Sequence, residues 1–191
     1  WVNTPDILPF HLQSGNPAMF ALRAVLASTL TPSWGMYAGY ELYESKPLAE
    51  GKEEYWESEK YQIKIRDWEG AAKKGITLAP FISQLNRIRK ENIALQRLRN
   101  LHFHNVDNPA IIAYSKREGN NLILVVVNLD PTYPQESTVH WDMNALGLSQ
   151  DSFKVTDLLD EKSYQWSAHT FVRLQPSRPI GKVAHIARVE L

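Results

Sequence analysis

The sequence contains no cysteine among its 191 residues. This excludes disulfide bonds and metal sites built on thiolates, and it is compatible with a reducing compartment, so we expect a cytoplasmic protein. Neither charge is in excess, with 21 basic and 21 acidic residues. Nothing therefore favours binding to nucleic acid or to an anionic membrane surface. No apolar run reaches the roughly 20 residues of a membrane-spanning helix.

Motifs for phosphate loops, nucleophile elbows and zinc sites are also absent. His102 and His104 have the alternate spacing of strand residues, but no further ligands stand at metal spacing. We therefore expect no metal and no cofactor.

The first eight residues contain the first candidate for catalysis. They have the pattern of a buried strand end followed by a polar turn that contains Asp6. A carboxylate directly after the C-terminal end of a strand is where barrel enzymes hold catalytic groups. Asn, Thr, Pro and Asp also favour turns, so a turn residue without a catalytic role is the alternative. The chain begins without Met, and we interpret it as the tail of a larger enzyme.

The first half of the chain has the element order of the closing units of a (β/α) barrel. An asparagine followed by proline predicts the start of a helix over residues 16–30. The apolar run 33–38 predicts a buried strand, and apolar spacing predicts a second helix at about 78–98. Between them, residues 45–75 form a long polar segment, which in a compact enzyme is usually a functional loop.

The second half of the chain is β-rich. Two strands, 111–115 and 122–128, flank a turn signal at 118–121 that predicts a hairpin. No convincing helix follows, and we place a linker near 98–104 and an all-β domain over 99–191. The further predicted strands cover residues 137–141, 153–157, 164–166, 170–174 and 183–189.

The long loop contains a second candidate site, Glu59-Lys60-Tyr61. Lysine supplies charge and tyrosine a hydroxyl donor, so together they suit an anionic group such as phosphate. A solvated charge cluster is the alternative. Glu41 and Glu44 follow the predicted strand, and each either braces the site or caps the next segment.

The aromatic residues Trp141, Tyr164 and Trp166 allow two interpretations. They form either a sugar-binding platform or part of the core, and core packing is the more frequent role of such rings.

Three motifs carry a resemblance to a known family. They are residues 3–8 (NTPDIL), residues 33–44 (SWGMYAGYELYE), and residues 58–61 (SEKY) followed by 65–68 (IRDW). They closely resemble the alpha-1,4-glucan:maltose-1-phosphate maltosyltransferases, bacterial enzymes of glycoside hydrolase family 13, the α-amylase family. The resemblance covers essentially the whole chain and is most specific over residues 1–68.

The resemblance implies a fold of two parts. Residues 1–98 would be the C-terminal elements of a (β/α)8 TIM barrel, and residues 99–191 a C-terminal antiparallel β-sandwich. It also implies an enzyme that transfers maltosyl units from maltose 1-phosphate to the non-reducing ends of α-1,4-glucans with retention. The resemblance allows a homodimer formed through the parent enzyme.

The resemblance also implies roles for three residues. Asp6 falls on the position that stabilises the transition state, and Lys60 and Tyr61 fall on the pair that contacts the sugar phosphate. Retention needs a nucleophile and an acid/base, which in the family lie upstream of the matched region. We therefore expect the chain alone to be inactive.

Two other functions remain as alternatives. An amylase-like hydrolase or a trehalose synthase belongs to the same family, but a pair that holds a donor phosphate argues against both. A non-catalytic carbohydrate-binding or assembly module is the alternative of a different class.

Overall fold

The computed structural model describes residues 1–59, 63–176 and 180–191. Within these ranges the chain forms four α-helices, four short 3-10 helices and eight strands. The α-helices are α1 (Pro17–Leu30), α2 (Trp68–Lys73), α3 (Ala79–Glu91) and α4 (Met143–Leu146). The 3-10 helices cover Phe10–Leu12, Tyr40–Leu42, Ile93–Gln96 and Ile180–Val183. The strands are β1 (Leu101–Val106), β2 (Ile111–Glu118), β3 (Asn121–Asn128), β4 (Gln135–His140), β5 (Ser152–Asp157), β6 (Ser163–Ser167), β7 (His169–Leu174) and β8 (Ala184–Val189).

Helix α1 confirms the first helix prediction. The Asn16 side chain accepts a hydrogen bond from the Ala18 amide at 2.9 Å, and proline occupies the first helical position. The helix ends at Thr31, whose backbone is extended. The side chains of Phe20 and Val25 are fully buried, so this apolar face holds the helix against the rest of the core.

Two cations from other elements satisfy the carbonyl groups that the end of α1 leaves unpaired. Arg89 donates to Thr31 O at 3.0 Å and to Pro32 O at 2.7 Å. Lys116 donates to Leu30 O at 3.4 Å. Burial, and after it the charge of Arg89, lowers the pKa of Lys116 to about 8. These bonds fix the end of α1 against α3 and β2.

Helix α3 is shorter than the predicted span of 78–98. It ends at Glu91 because Asn92 adopts an extended backbone, with φ −123° and ψ 101°, and the Asn92 side-chain amide donates to Ile88 O at 2.8 Å. A separate 3-10 helix follows. The predicted apolar face is nevertheless buried, through Phe81, Ile82, Leu85 and Ile88.

The prediction of a strand at 33–38 is wrong, and so is the prediction of a strand end at the start of the chain. In the described part of the chain every strand lies at or after Leu101. Val2 N donates to Gly35 O at 3.2 Å, so the two segments lie side by side. This is the one backbone hydrogen bond found between them in the described ranges. A strand requires a repeated ladder of such bonds with a partner.

The eight strands form an antiparallel sheet in the order β6-β5-β8-β3-β2-β1-β4-β7. Strand β1 pairs with β2 through its first four residues and with β4 through Asn105 and Val106, so it passes from one partner to the other. The hairpin prediction is confirmed, since Glu118 pairs with Asn121 and Gly119 has φ +58°. The strand positions from 111 onward are also confirmed within a few residues. Strand β1 begins within the predicted linker of 98–104, and α4 was not predicted.

Strand β3 is buried on both faces, which explains its uninterrupted apolar sequence. One face packs on the helices, and the other encloses a second cluster on the far side of the sheet. Trp141 and Trp166 lie in that second cluster, 4% and 6% exposed, with nearly parallel rings 5.8 Å apart. They are core residues and do not form a surface platform. The helix-side set is Ile123, Val125 and Val127, and the opposite set is Leu122, Leu124 and Val126.

No helix in the described ranges is both long and apolar enough to span a membrane.

Candidate functional site

Asp6 lies at the tip of a tight turn. Thr4 N donates to Ile7 O at 3.1 Å, and Ile7 N donates to Thr4 O at 3.2 Å and to Thr4 Oγ1 at 3.0 Å. These reciprocal bonds place Pro5 and Asp6 at the two central positions, and the Asp6 side chain is exposed. The turn expected from the residue types is therefore present, and it presents a carboxylate at the surface.

Buried Asn3 connects this turn to the neighbouring segments. The residue is only 2% exposed. The amide donates to Tyr55 Oη at 2.6 Å, and the amide oxygen accepts from Tyr37 N at 2.8 Å. Burial raises the pKa of Tyr55 to about 12, so its hydroxyl stays protonated. The sequence suggested only a turn-forming residue at position 3, and the bridging role was missed.

The long loop packs along the segment that follows the turn. Leu8 N donates to Glu53 O at 2.5 Å, and Phe10 N donates to the Glu53 carboxylate at 3.1 Å. Pro47 and Tyr55 form an isolated antiparallel bridge. In its described residues the loop predicted over 45–75 thus pairs with other segments, and it contains α2, which the sequence did not predict.

Arg66 is the centre of an ion-pair cluster within this loop. It contacts Glu44 with two nitrogens, Nε at 2.8 Å and Nη2 at 3.3 Å, and Glu59 with Nη1 at 3.3 Å. Its side chain is 6% exposed, and its guanidinium lies over the Tyr37 ring, 5.5 Å from the centroid. Lys64 adds a contact with Glu44 at 3.2 Å. We call Tyr37, Glu44, Glu59, Lys64 and Arg66 the loop brace.

The hydrogen bonds within the loop brace favour the charged forms of Arg66 and Glu59. Burial by itself lowers the pKa of Arg66, but its hydrogen bonds to Glu44 and Tyr37 outweigh this and raise the pKa above its usual value. The Tyr37 hydroxyl donates to Glu59 Oε2. That hydrogen bond, followed by one from the Lys64 amide, lowers the pKa of Glu59. The Glu59 carboxylate and the Arg66 guanidinium therefore stay charged at neutral pH.

Glu59 also closes the loop that contains the predicted phosphate pair. Its Oε1 accepts from Lys64 N at 3.2 Å, so both flanks of the segment are tied to the loop brace. Lys60 and Tyr61 themselves lie outside the described residues. The charge-cluster interpretation does not fit Glu59, because its carboxylate contacts both Tyr37 and Arg66.

Capping and bracing were the two roles considered for Glu41 and Glu44, and each residue has a different one. Glu41 caps, since its carboxylate accepts from Gly39 N at 3.1 Å at the start of a 3-10 helix. Glu44 braces the loop through ion pairs with Arg66 and Lys64. Gly39 has φ +98°, and a Cβ at this position would collide with the Glu44 carboxylate. Glycine is therefore required both for the backbone conformation and for the space.

His104 is a structural residue. Its Nδ1 accepts from Asp142 N at 3.0 Å, and its Nε2 lies 2.8 Å from Ser115 Oγ. Burial lowers its pKa to about 4, so the ring is neutral at pH 7. Both ring nitrogens are used within the fold.

Replacing Arg66 with Met should destabilise the chain by about 1.5–3 kcal/mol, because hydrogen bonds to two partly buried carboxylates are lost. Arg66→Lys should recover only part of this, because an ammonium cannot make the two-nitrogen contact with Glu44. The measurement is urea unfolding of the 191-residue chain. Arg97→Met is the matched control, since Arg97 is 53% exposed in its pair with Glu118 and should change stability by less than about 1 kcal/mol. Equal losses at both positions would show that Arg66 is an ordinary surface ion pair.

Sequence comparison finds relatives over nearly all of the chain. The family described as "GLGE, C-terminal" matches residues 103–189. The alpha-1,4-glucan:maltose-1-phosphate maltosyltransferase 2 of Streptomyces coelicolor is 54% identical over 189 residues, which are 98% of this chain and 28% of that protein. The Corynebacterium glutamicum maltosyltransferase is 52% identical over 97% of this chain and 28% of its own length. The chain therefore spans little more than a quarter of the curated relatives it matches.

Structural comparison finds similar folds among α-amylases. The maltogenic α-amylase AmyB from Thermotoga neapolitana aligns with a TM-score of 0.60 at 13% identity, over 92% of this chain and 37% of that one. The α-amylase from Geobacillus thermoleovorans, in complex with acarbose, aligns with a TM-score of 0.59 at 11% identity, over 92% and 34%. At such identities the likeness shows the fold alone.

Proposed function

We propose, from the premise that this chain is homologous to the C-terminal part of the alpha-1,4-glucan:maltose-1-phosphate maltosyltransferases, that it forms the corresponding part of such an enzyme. The enzyme would transfer maltosyl units from maltose 1-phosphate to the non-reducing ends of α-1,4-glucans. The observation that carries the proposal is an identity of 54% across 98% of the chain. We keep the homodimer formed through the parent enzyme as part of the proposal.

The proposed architecture has two parts. Residues 1–98 would be the last elements of a (β/α)8 barrel, and residues 99–191 a β-sandwich. The alignment of 92% of the chain with the fold of the maltogenic α-amylase AmyB supports the first part. The second part is supported by the sheet, which begins at Leu101 and encloses its own hydrophobic cluster.

Asp6 would stabilise the positive charge that develops on the sugar in the transition state. Glycosyl transfer with retention passes through an oxocarbenium-like state, and a fixed carboxylate lowers its energy. Support comes from the exposed position of Asp6 on a turn closed by reciprocal hydrogen bonds and anchored through Asn3.

Lys60 and Tyr61 would hold the donor phosphate. Support comes from their flanks, because Glu59 and Lys64 hold both sides of the segment in the loop brace. Arg66 is not the proposed phosphate ligand, since its guanidinium is already engaged by Glu44 and Glu59. Its role would be to keep the loop in the conformation that presents the pair.

The two carboxylates that retention requires are not assigned to this chain. Glu44 and Glu59 are held in the loop brace, and Glu41 caps a backbone amide. We propose that the nucleophile and the acid/base belong to the part of the enzyme that corresponds to the unmatched length of the relatives. On this proposal the 191-residue chain alone is inactive.

A chimaera tests the proposal. In it, this chain replaces the matching residues of the Streptomyces coelicolor relative. We expect the chimaera to release phosphate from maltose 1-phosphate in the presence of glycogen, and the isolated chain to release none. A folded chimaera that hydrolyses glycogen but does not use maltose 1-phosphate would favour the amylase alternative. Turnover by the isolated chain would contradict the assignment of the missing carboxylates.

A further inference from the structure

Two exposed histidines face each other on the β-rich half, far in sequence from the loop brace. His140 on β4 and His169 on β7 are directly paired in the antiparallel register. Side chains of such a pair lie on the same face of a sheet. Their Nδ1 atoms are 2.9 Å apart, and the contact is exposed to solvent.

A carboxylate fixes the orientation of the first ring. Asp107 Oδ1 lies 2.7 Å from His140 Nε2. A hydrogen bond from the Nε2 proton of His140 to this oxygen leaves a lone pair on Nδ1 of a singly protonated ring. A histidine oriented by a carboxylate on its far nitrogen is the usual arrangement at protein metal sites.

We propose that His140 and His169 bind a divalent transition metal ion, with Asp107 as a positioning residue. On binding, the proton between the two Nδ1 atoms moves to Nε2 of His169, and the ion takes both Nδ1 lone pairs. His169 is exposed at the surface, where side chains change rotamer within nanoseconds, so its ring can turn while Asp107 holds that of His140. No three His, Asp or Glu side chains form a metal-binding group in the described ranges, so water completes the coordination.

The ligand type selects among metals. Two imidazole nitrogens, with water in the remaining positions, suit Cu²⁺, Ni²⁺ and Zn²⁺. The 2.9 Å between the Nδ1 atoms is the length of the hydrogen bond that the ion would replace. Cu²⁺ should bind most tightly, followed by Ni²⁺, with Zn²⁺ weaker than Cu²⁺.

Calorimetric titration of the 191-residue chain with the chlorides of Cu²⁺, Ni²⁺ and Zn²⁺ tests the proposal. His140→Ala and His169→Ala should each weaken Cu²⁺ binding at least tenfold, and Asp107→Asn should weaken it roughly 10- to 100-fold. His102→Ala is the matched control, because His102 is also exposed and lies near a carboxylate, that of Asp142. It should leave Cu²⁺ affinity unchanged.

A second measurement does not depend on the variants folding. Paramagnetic Cu²⁺ should broaden the ring proton resonances of His140 and His169 in the unmodified chain before those of His102. Equal affinity in the parent chain and both alanine variants would overturn the proposal. Broadening confined to other histidines would overturn it as well.

Discussion

Replacing Asp6 with Asn in the chimaera should lower turnover roughly 10²- to 10³-fold, the usual effect of removing one electrostatic group from a transition state. The substitution keeps the size of the side chain, and backbone bonds and the Thr4 hydroxyl close the turn between Thr4 and Ile7. We expect the variant to fold. The measurement is phosphate release at saturating maltose 1-phosphate, together with circular dichroism to confirm folding.

Asp151→Asn is the matched control for this prediction. Asp151 is also an exposed aspartate in a bend, but it lies between α4 and β5 in the β-rich half. It should keep full activity. A near-normal rate in well-folded Asp6→Asn would return Asp6 to the role of a turn residue.

Lys60→Ala and Tyr61→Phe should each weaken binding of maltose 1-phosphate by roughly 10- to 100-fold. A hydrogen bond to a charged group contributes about 1.5–3 kcal/mol, and about 1.4 kcal/mol corresponds to a tenfold change in affinity. Binding of maltose, which has no phosphate, should change much less. The measurement is calorimetric titration of the chimaera and its variants with both ligands.

Lys52→Ala is the control for these variants, since Lys52 is an exposed lysine of the same loop. It should leave both affinities unchanged. Equal losses for maltose 1-phosphate and maltose in the Lys60 and Tyr61 variants would show that the pair only shapes the loop. The phosphate role would then be wrong.

The parts of the fold that could be predicted depend on local signals. The asparagine cap of α1 and the glycine of the β2–β3 turn act within a few residues, so the sequence is sufficient to place them. The end of α3 is different. Asn121, on β3, donates to Asn92 Oδ1 at 2.9 Å from 29 residues away, and this contact is part of what holds Asn92 out of the helix. Apolar periodicity contains no information about such a contact.

The candidate site likewise has one part that local residue types predict and one part that depends on distant contacts. The Asp6 turn follows from its residue types, but the loop brace does not. Arg66 and Glu44 are 22 residues apart, and no local pattern in the sequence joins them. Burial around Arg66 is the reverse of what residue type suggests. Ile63 and Ile65 are 90% and 94% exposed, while the Arg66 side chain is buried. Hydrophobicity alone predicts the opposite orientation.

A crystal structure of the chimaera with maltose 1-phosphate tests the proposed function most directly. We predict that the phosphate lies within hydrogen-bond distance of Lys60 Nζ and Tyr61 Oη, with the first sugar ring beside the Asp6 carboxylate. Sugar bound instead on the strands between residues 101 and 189, with nothing beside Asp6, would contradict the account and favour a carbohydrate-binding module.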